Sequence, residues 1–155
     1  MFDDDLILID GTINLTGNTD TPAVSTTRDA TYGSAVIDLG VGGTPANGLI
    51  AVLMLPTAAV ASSTLVGIIE ASDTLDMTST ATGISELGKF GIAGATKGTI
   101  IAAEVTASTV PLFVTMRVTT KKRYIRANLT VNGTTEYNFY KVKCYLTPYF
   151  NLENV

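Results

Sequence analysis

The sequence predicts an all-β chain, a single-domain, jelly-roll-like antiparallel β-sandwich with an N-terminal arm. Apolar residues recur with period two, or in short blocks fenced by Gly, Pro, Asn, Ser and Thr, which is the pattern of strands; helical spacing is scarce. No period of about 20 to 50 residues recurs, so propellers and solenoids are not expected. Eight or nine strands with long connections suit two packed sheets. A chain of 155 residues fits one domain, and at about 150 residues folding hides roughly 68 to 70% of the extended chain's surface, enough for a core without staples.

Taken in order, strands are expected at Asp5–Asp10, Ser34–Leu39, Leu49–Leu55, Thr64–Ala71, Lys89–Ile92, Thr99–Thr106, Leu112–Thr119, Arg123–Val131 and Tyr137–Thr147. Residues 1–32 form the first strand and an extended arm, 33–147 the sandwich, and 148–155 a tail. Pro45-Ala46-Asn47-Gly48 and Pro56 fence Leu49–Leu55. That strand and Leu65–Ile69 are apolar on both faces. Such strands are covered on each side, by a second sheet plus a loop or by another subunit, and we favour other subunits. The Ser-, Thr- and Gly-rich stretch from Ser72 to Gly88 reads as a long loop with one helical turn near Ser85–Leu87.

Alternation is clearest in the C-terminal third. Leu112, Val114, Met116 and Val118 share one face, and Phe113, Thr115 and Arg117 the other. Ile125, Ala127, Leu129 and Val131 point inward, with Tyr124, Arg126, Asn128 and Thr130 outward. Asn132-Gly133 is a favoured tight-turn pair, so the last strand is expected to fold back as a hairpin, sending Tyr140, Val142, Cys144 and Leu146 to the core.

Composition narrows the function classes. The chain has no His, no Trp, one Cys and 15% charged residues. General acid-base and nucleophilic sites are mostly built from His, Cys or paired carboxylates, so binding is expected rather than catalysis, with no cofactor. A lone Cys144 excludes an internal disulfide and a multi-Cys zinc site, leaving only oxygen ligands for a metal. No apolar run approaches the roughly 20 residues that cross a bilayer, and the acidic start Met1-Phe2-Asp3-Asp4-Asp5 is unlike a signal peptide. The expectation is a chain that neither spans a membrane nor follows the usual secretory route. A net charge of −4 opposes general nucleic-acid binding.

The charges are uneven. Up to Glu104 the chain has 12 acidic and 3 basic residues, and from Val105 onward 2 acidic and 7 basic. The halves can attract each other within one subunit or between neighbours.

Several motifs are weighed against simpler readings. Asp3-Asp4-Asp5 has carboxylates suited to a hard cation but no ligand-spaced loop, and reads as a solvated tail. Gly40, Gly42 and Gly43 lack the downstream Lys and helix N-terminus of a phosphate loop, and read as a turn. Asn14-Leu15-Thr16, Asn128-Leu129-Thr130 and Asn132-Gly133-Thr134 match the glycosylation triplet with no secretory signal before them. Lys121, Lys122, Arg123, Tyr124 and Arg126 form a basic and aromatic cluster of the kind that contacts single strands of nucleic acid, but Lys121 and Lys122 fall at a turn. With Arg117, this cluster is a candidate interface toward acidic surface on a neighbouring subunit. Tyr137, Phe139, Tyr145, Tyr149 and Phe150 are expected on an exposed face. They suit a sugar platform or, without Trp, packing against a neighbour.

Val36-Ile37-Asp38-Leu39-Gly40, Gly48-Leu49-Ile50-Ala51-Val52, Thr64-Leu65 with Glu70-Ala71-Ser72-Asp73, Lys122-Arg123-Tyr124-Ile125-Arg126 and Thr130-Val131-Asn132-Gly133-Thr134 follow one another along the chain. In order and spacing, from about Val24 to Thr147, they resemble the Bbp16-type capsid cement (decoration) proteins of tailed bacteriophages. The resemblance implies a jelly-roll-like fold, a homotrimer, and attachment to the major capsid protein on the outer surface of the virion, between capsomers. It also implies synthesis in the host cytoplasm, and the acidic net charge and lack of a long apolar run add the expectation of no nucleic-acid or membrane partner. Rival readings are a carbohydrate-binding or host-attachment sandwich, a head or tail fibre subunit, and a hydrolase using a carboxylate pair such as Asp38 with Glu104.

Overall fold

The computed structural model describes residues 6–11, 15–16, 36–58, 63–75, 77, 82–91, 98–101, 105, 111–132 and 137–148. Among them the chain is all β and its sheets are antiparallel. The first sheet has the order β1-β12-β4-β9, with β1 at Ile7–Asp10, β4 at Leu49–Leu55, β9 at Leu112–Val118 and β12 at Lys143–Pro148. The second has the order β3-β10-β6-β7, from β3 (Ile37–Asp38), β6 (Thr64–Ser72), β7 (Ser85–Phe90) and β10 (Tyr124–Asn132); β8 (Ile100–Ile101) continues along β6. A small third sheet, β2-β11-β5, joins β2 (Leu15–Thr16), β5 (Thr57–Ala58) and β11 (Tyr137–Tyr140).

The expected alternation builds the core. Leu49, Ala51, Leu53 and Leu55 of β4 lie with Ile69, Ile125 and Leu129 of the second sheet in one buried cluster. Each fully buried aliphatic side chain contributes about 1.5 to 3 kcal/mol relative to exposure. Gly67 sits where the sheets meet. A Cβ there would lie 2.9 Å from Leu129 Cδ2, 3.1 Å from Phe90 Cδ2 and 3.5 Å from Leu53 Cδ2, so the missing side chain is the space those three fill. In β1 a bulge between Ile7 and Ile9 places consecutive Leu8 and Ile9 both in the core, which period two alone forbids.

Strand bounds for Leu49–Leu55 agree with the expectation to the residue, and the edges of β1, β6, β9 and β10 to within a residue or two. Other expectations are corrected. Ser85–Leu87 is strand, not a helical turn: β7 pairs with β6 through a register shift at Ile69/Glu70, and this bulge hides the alternation. The last strand does not form a hairpin with β10: β11 pairs with β2 and β5, and β12 with β1 and β4, while β6 runs along β10. The chain after Asn132 instead serves two sheets, breaking into β11 and β12 at Lys141, whose φ of 50° redirects it. Among the described residues twelve strands stand where eight or nine were expected; β2 opens the segment read as an arm, whose residues 17–35 lie outside the described ones. Of Thr99–Thr106 only Ile100–Ile101 is described as strand.

Candidate interaction surfaces

Both ends of the first sheet carry features that the fold does not need for its core. At one end the 39–48 loop, joining β3 to β4, is fastened to the 119–123 connection that carries the chain from the first sheet to the second. Thr44 N and Thr44 Oγ1 both bond to Thr120 O, at 2.9 and 3.2 Å, and Thr120 N donates to Thr44 Oγ1 at 3.1 Å. Leu39 N donates to Arg123 O at 2.7 Å. Asp38 receives both Arg123 Nε (2.8 Å) and Arg123 Nη2 (2.7 Å), and its Oδ1 also accepts from Gly40 N at 2.8 Å. These donors hold the Asp38 carboxyl down at about 2, the Arg123 side chain first and the Gly40 amide second. Asp38 in turn raises the Arg123 pKa, and the guanidinium lies 5.1 Å from the Tyr124 ring centre.

The loop's shape needs its glycines. Gly40, Gly42 and Gly43 all have positive φ (78°, 104° and 75°), and a Cβ on Gly43 would fall 2.1 Å from Thr120 O. The turn displays Val41, which is 100% exposed.

At the opposite end, the outer face of the first sheet carries an apolar groove of about 270 Å3. Register puts Ile7, Tyr145, Val52 and Thr115 in one row, and Asp10, Lys143, Met54 and Phe113 in the next. Ile7, Met54, Phe113 and Tyr145 line the groove, and Phe113 is 54% exposed. Val52 is buried within the chain although it points away from the core. Burial raises the Tyr145 pKa.

The expected interface residues divide. Arg126 is not outward and free: it is 4% exposed and its Nε lies 2.8 Å from Glu70 Oε2, directly across the strand pair. A long guanidinium on a nominally outer position is drawn down to the carboxylate opposite it. Lys122 reaches Asp73 at 3.6 Å and Gly83 O at 2.5 Å, and Arg117 Nε donates to Asn47 O at 3.1 Å. Arg123 is engaged by Asp38. Lys121 is exposed at the turn, as expected, with no partner among the described residues. Phe139 is corrected outright: it is fully buried, flanked by Leu15 and Ala58 of the third sheet. Parity along one continuous strand assigned it outward, and the break at Lys141 removes that parity. Tyr145 is half-buried at the groove, Tyr137 lies on β11, and Tyr149, Phe150, Asp3–Asp5 and Glu104 lie outside the described residues. Asp38, offered as half of a hydrolytic pair, is bound to Arg123.

Phe113 and Val41 were not singled out as candidates. Alternation already put Phe113 on the outer face, and an apolar residue between glycines was a visible signal for Val41. Among the described residues no group of three or more His, Cys, Asp or Glu is placed to hold a metal. No helix among them is long and apolar enough to cross a membrane. Comparison with family models, with curated proteins and with solved structures returns no match to this chain.

Proposed function

We propose that this chain is a structural virion protein, a cement or decoration module that binds the outer surface of a tailed-phage head between capsomers, as a homotrimer, and stabilises it. The observation that carries the reading is the open apolar face of the first sheet, where the groove ends in Phe113 at 54% exposure. The order of sequence blocks resembling phage cement proteins supports it. A head pressurised by packed genome fails where capsomers part, and a rigid β module bridging them adds buried area there. This reading assigns the chain no catalytic turnover and no cofactor. Heads lacking the protein, mixed with purified chain and imaged by cryo-microscopy, are expected to show added density outside the shell between capsomers. Density only on fibres or tail, or none, overturns it.

A carbohydrate-binding or host-attachment role is the second reading, favoured by Tyr145 and Phe113 beside the polar pair Asp10 and Lys143 at the same groove. A glycan array with a specific, competable hit supports it over cementing.

A further inference from the structure

The loop end and the groove end fit one another. We propose that Val41 of one copy inserts into the groove beside Phe113 of the next copy, so that copies associate head to tail. The contact rests on the self-association proposed above and not on head binding.

Val41 is presented without flexibility to spare. Its turn is set by three positive-φ glycines and fixed at its base by the Asp38–Arg123 pair and the Thr44–Thr120 bonds. A pre-shaped knob loses little freedom on docking, which is where much of the cost of association lies. The groove, at about 270 Å3, has room for it; a cavity of about 150 Å3 already holds a benzene ring. Its lining by Ile7, Met54, Phe113 and Tyr145 suits an isopropyl group.

Position dictates the geometry. The 39–48 loop enters β4 at Leu49, and the groove lies at Met54, about 17 Å further along at about 3.4 Å per residue. Knob and socket stand at opposite ends of one strand, and the three-fold assembly proposed above uses each of them once per copy. They make a heterologous contact, which closes as a ring or runs on as a filament. Asp10 and Lys143 both stand at the groove, and Lys121, which borders the same depression as Gly42, comes with the knob and matches Asp10. The Lys143 stem lies over Gly11, whose Cβ would be 2.6 Å from Lys143 Cε.

Sedimentation of the full chain tests the contact. Wild-type protein is expected to form concentration-dependent oligomers, and Val41→Asp and Phe113→Asp each to weaken association by roughly tenfold or more, with unchanged circular dichroism. Val41→Asp alters a side chain that touches nothing, so its folding is not at risk. Mixing the two variants leaves one good knob and one good groove, so the mixture should yield heterodimers that grow no further. A monomeric wild type, variants that associate like wild type, or a mixture that stays monomeric overturns the proposal. Oligomers that respond as expected but do not bind heads would overturn the capsid reading and leave this contact standing.

Discussion

The outer faces of the two main sheets obey the same alternation and end differently. On the second sheet the outward positions of β10 and β6 carry Arg126 and Glu70, which meet across the strands at 2.8 Å and are nearly buried. On the first sheet the outward positions carry Ile7, Val52, Met54, Phe113 and Tyr145, and the row stays open at the groove. The basic residues are thus largely consumed by the chain's own carboxylates and carbonyls, and the apolar ones are left for contact. The charges find partners inside the fold, and the face left open is apolar.

Substitutions on the two faces should separate fold from association. The largest expected loss of stability is at the closed face. Glu70→Ala removes the carboxylate that Arg126 is buried against, at a cost of about 3 kcal/mol, read as a lower denaturant midpoint. Neutralising Arg126 should therefore weaken the fold itself rather than spare it. Gly67→Ala comes next: the added methyl meets Leu129 and Phe90 between the sheets and costs about 1 to 3 kcal/mol in chemical denaturation. On the open face, Phe113→Ser should cost only about 1 kcal/mol of stability while association falls, because the ring is half in solvent already. If Phe113→Ser unfolds the chain as readily as Glu70→Ala, the distinction between the faces fails.

Smaller effects sharpen the picture at the Asp38–Arg123 pair, the latch at the base of the 39–48 loop. The Asp38 carboxyl is held at about 2 against an ordinary 3.8, so the stabilisation it supplies is present above 3.8 and is lost as pH falls toward 2. The melting difference between wild type and Asp38→Asn should accordingly be present at neutral pH and vanish near pH 2; a difference that persists there contradicts the latch. Cys144 is fully enclosed on the inner face of β12, and burial pushes its thiol pKa far up. Native protein should react with a thiol reagent only as fast as it opens, and rapid labelling would put β12 in the wrong register.

Much of this was legible in the sequence, for physical reasons. Leu49–Leu55 lies between Pro-Ala-Asn-Gly and Pro56, and its bounds came directly from those breakers. The inward set Ile125, Ala127, Leu129 and Val131 followed from period two. Strand pairing did not follow, because β10's partners, Asp38 and Ser72 among them, are distant in sequence and an Asn-Gly pair nearby suggested a shorter route. Bulges at Ile7/Ile9 and Ile69/Glu70 shift parity by one residue, which alternation cannot reveal. The basic cluster was read as an interface because its partners, Asp38, Glu70 and Asp73, stand 49 residues or more away along the chain and are brought in only by the sheets.

The central claim is that contact is made by the apolar face and not by the basic cluster. Sedimentation of the wild-type chain over a rising series of sodium sulfate concentrations tests it most directly. Apolar docking predicts self-association that holds or strengthens, since sulfate favours burial and screens only the minor Lys121 contact. Oligomers that dissolve into monomers as salt rises would show that charge carries the interface, and would contradict the account.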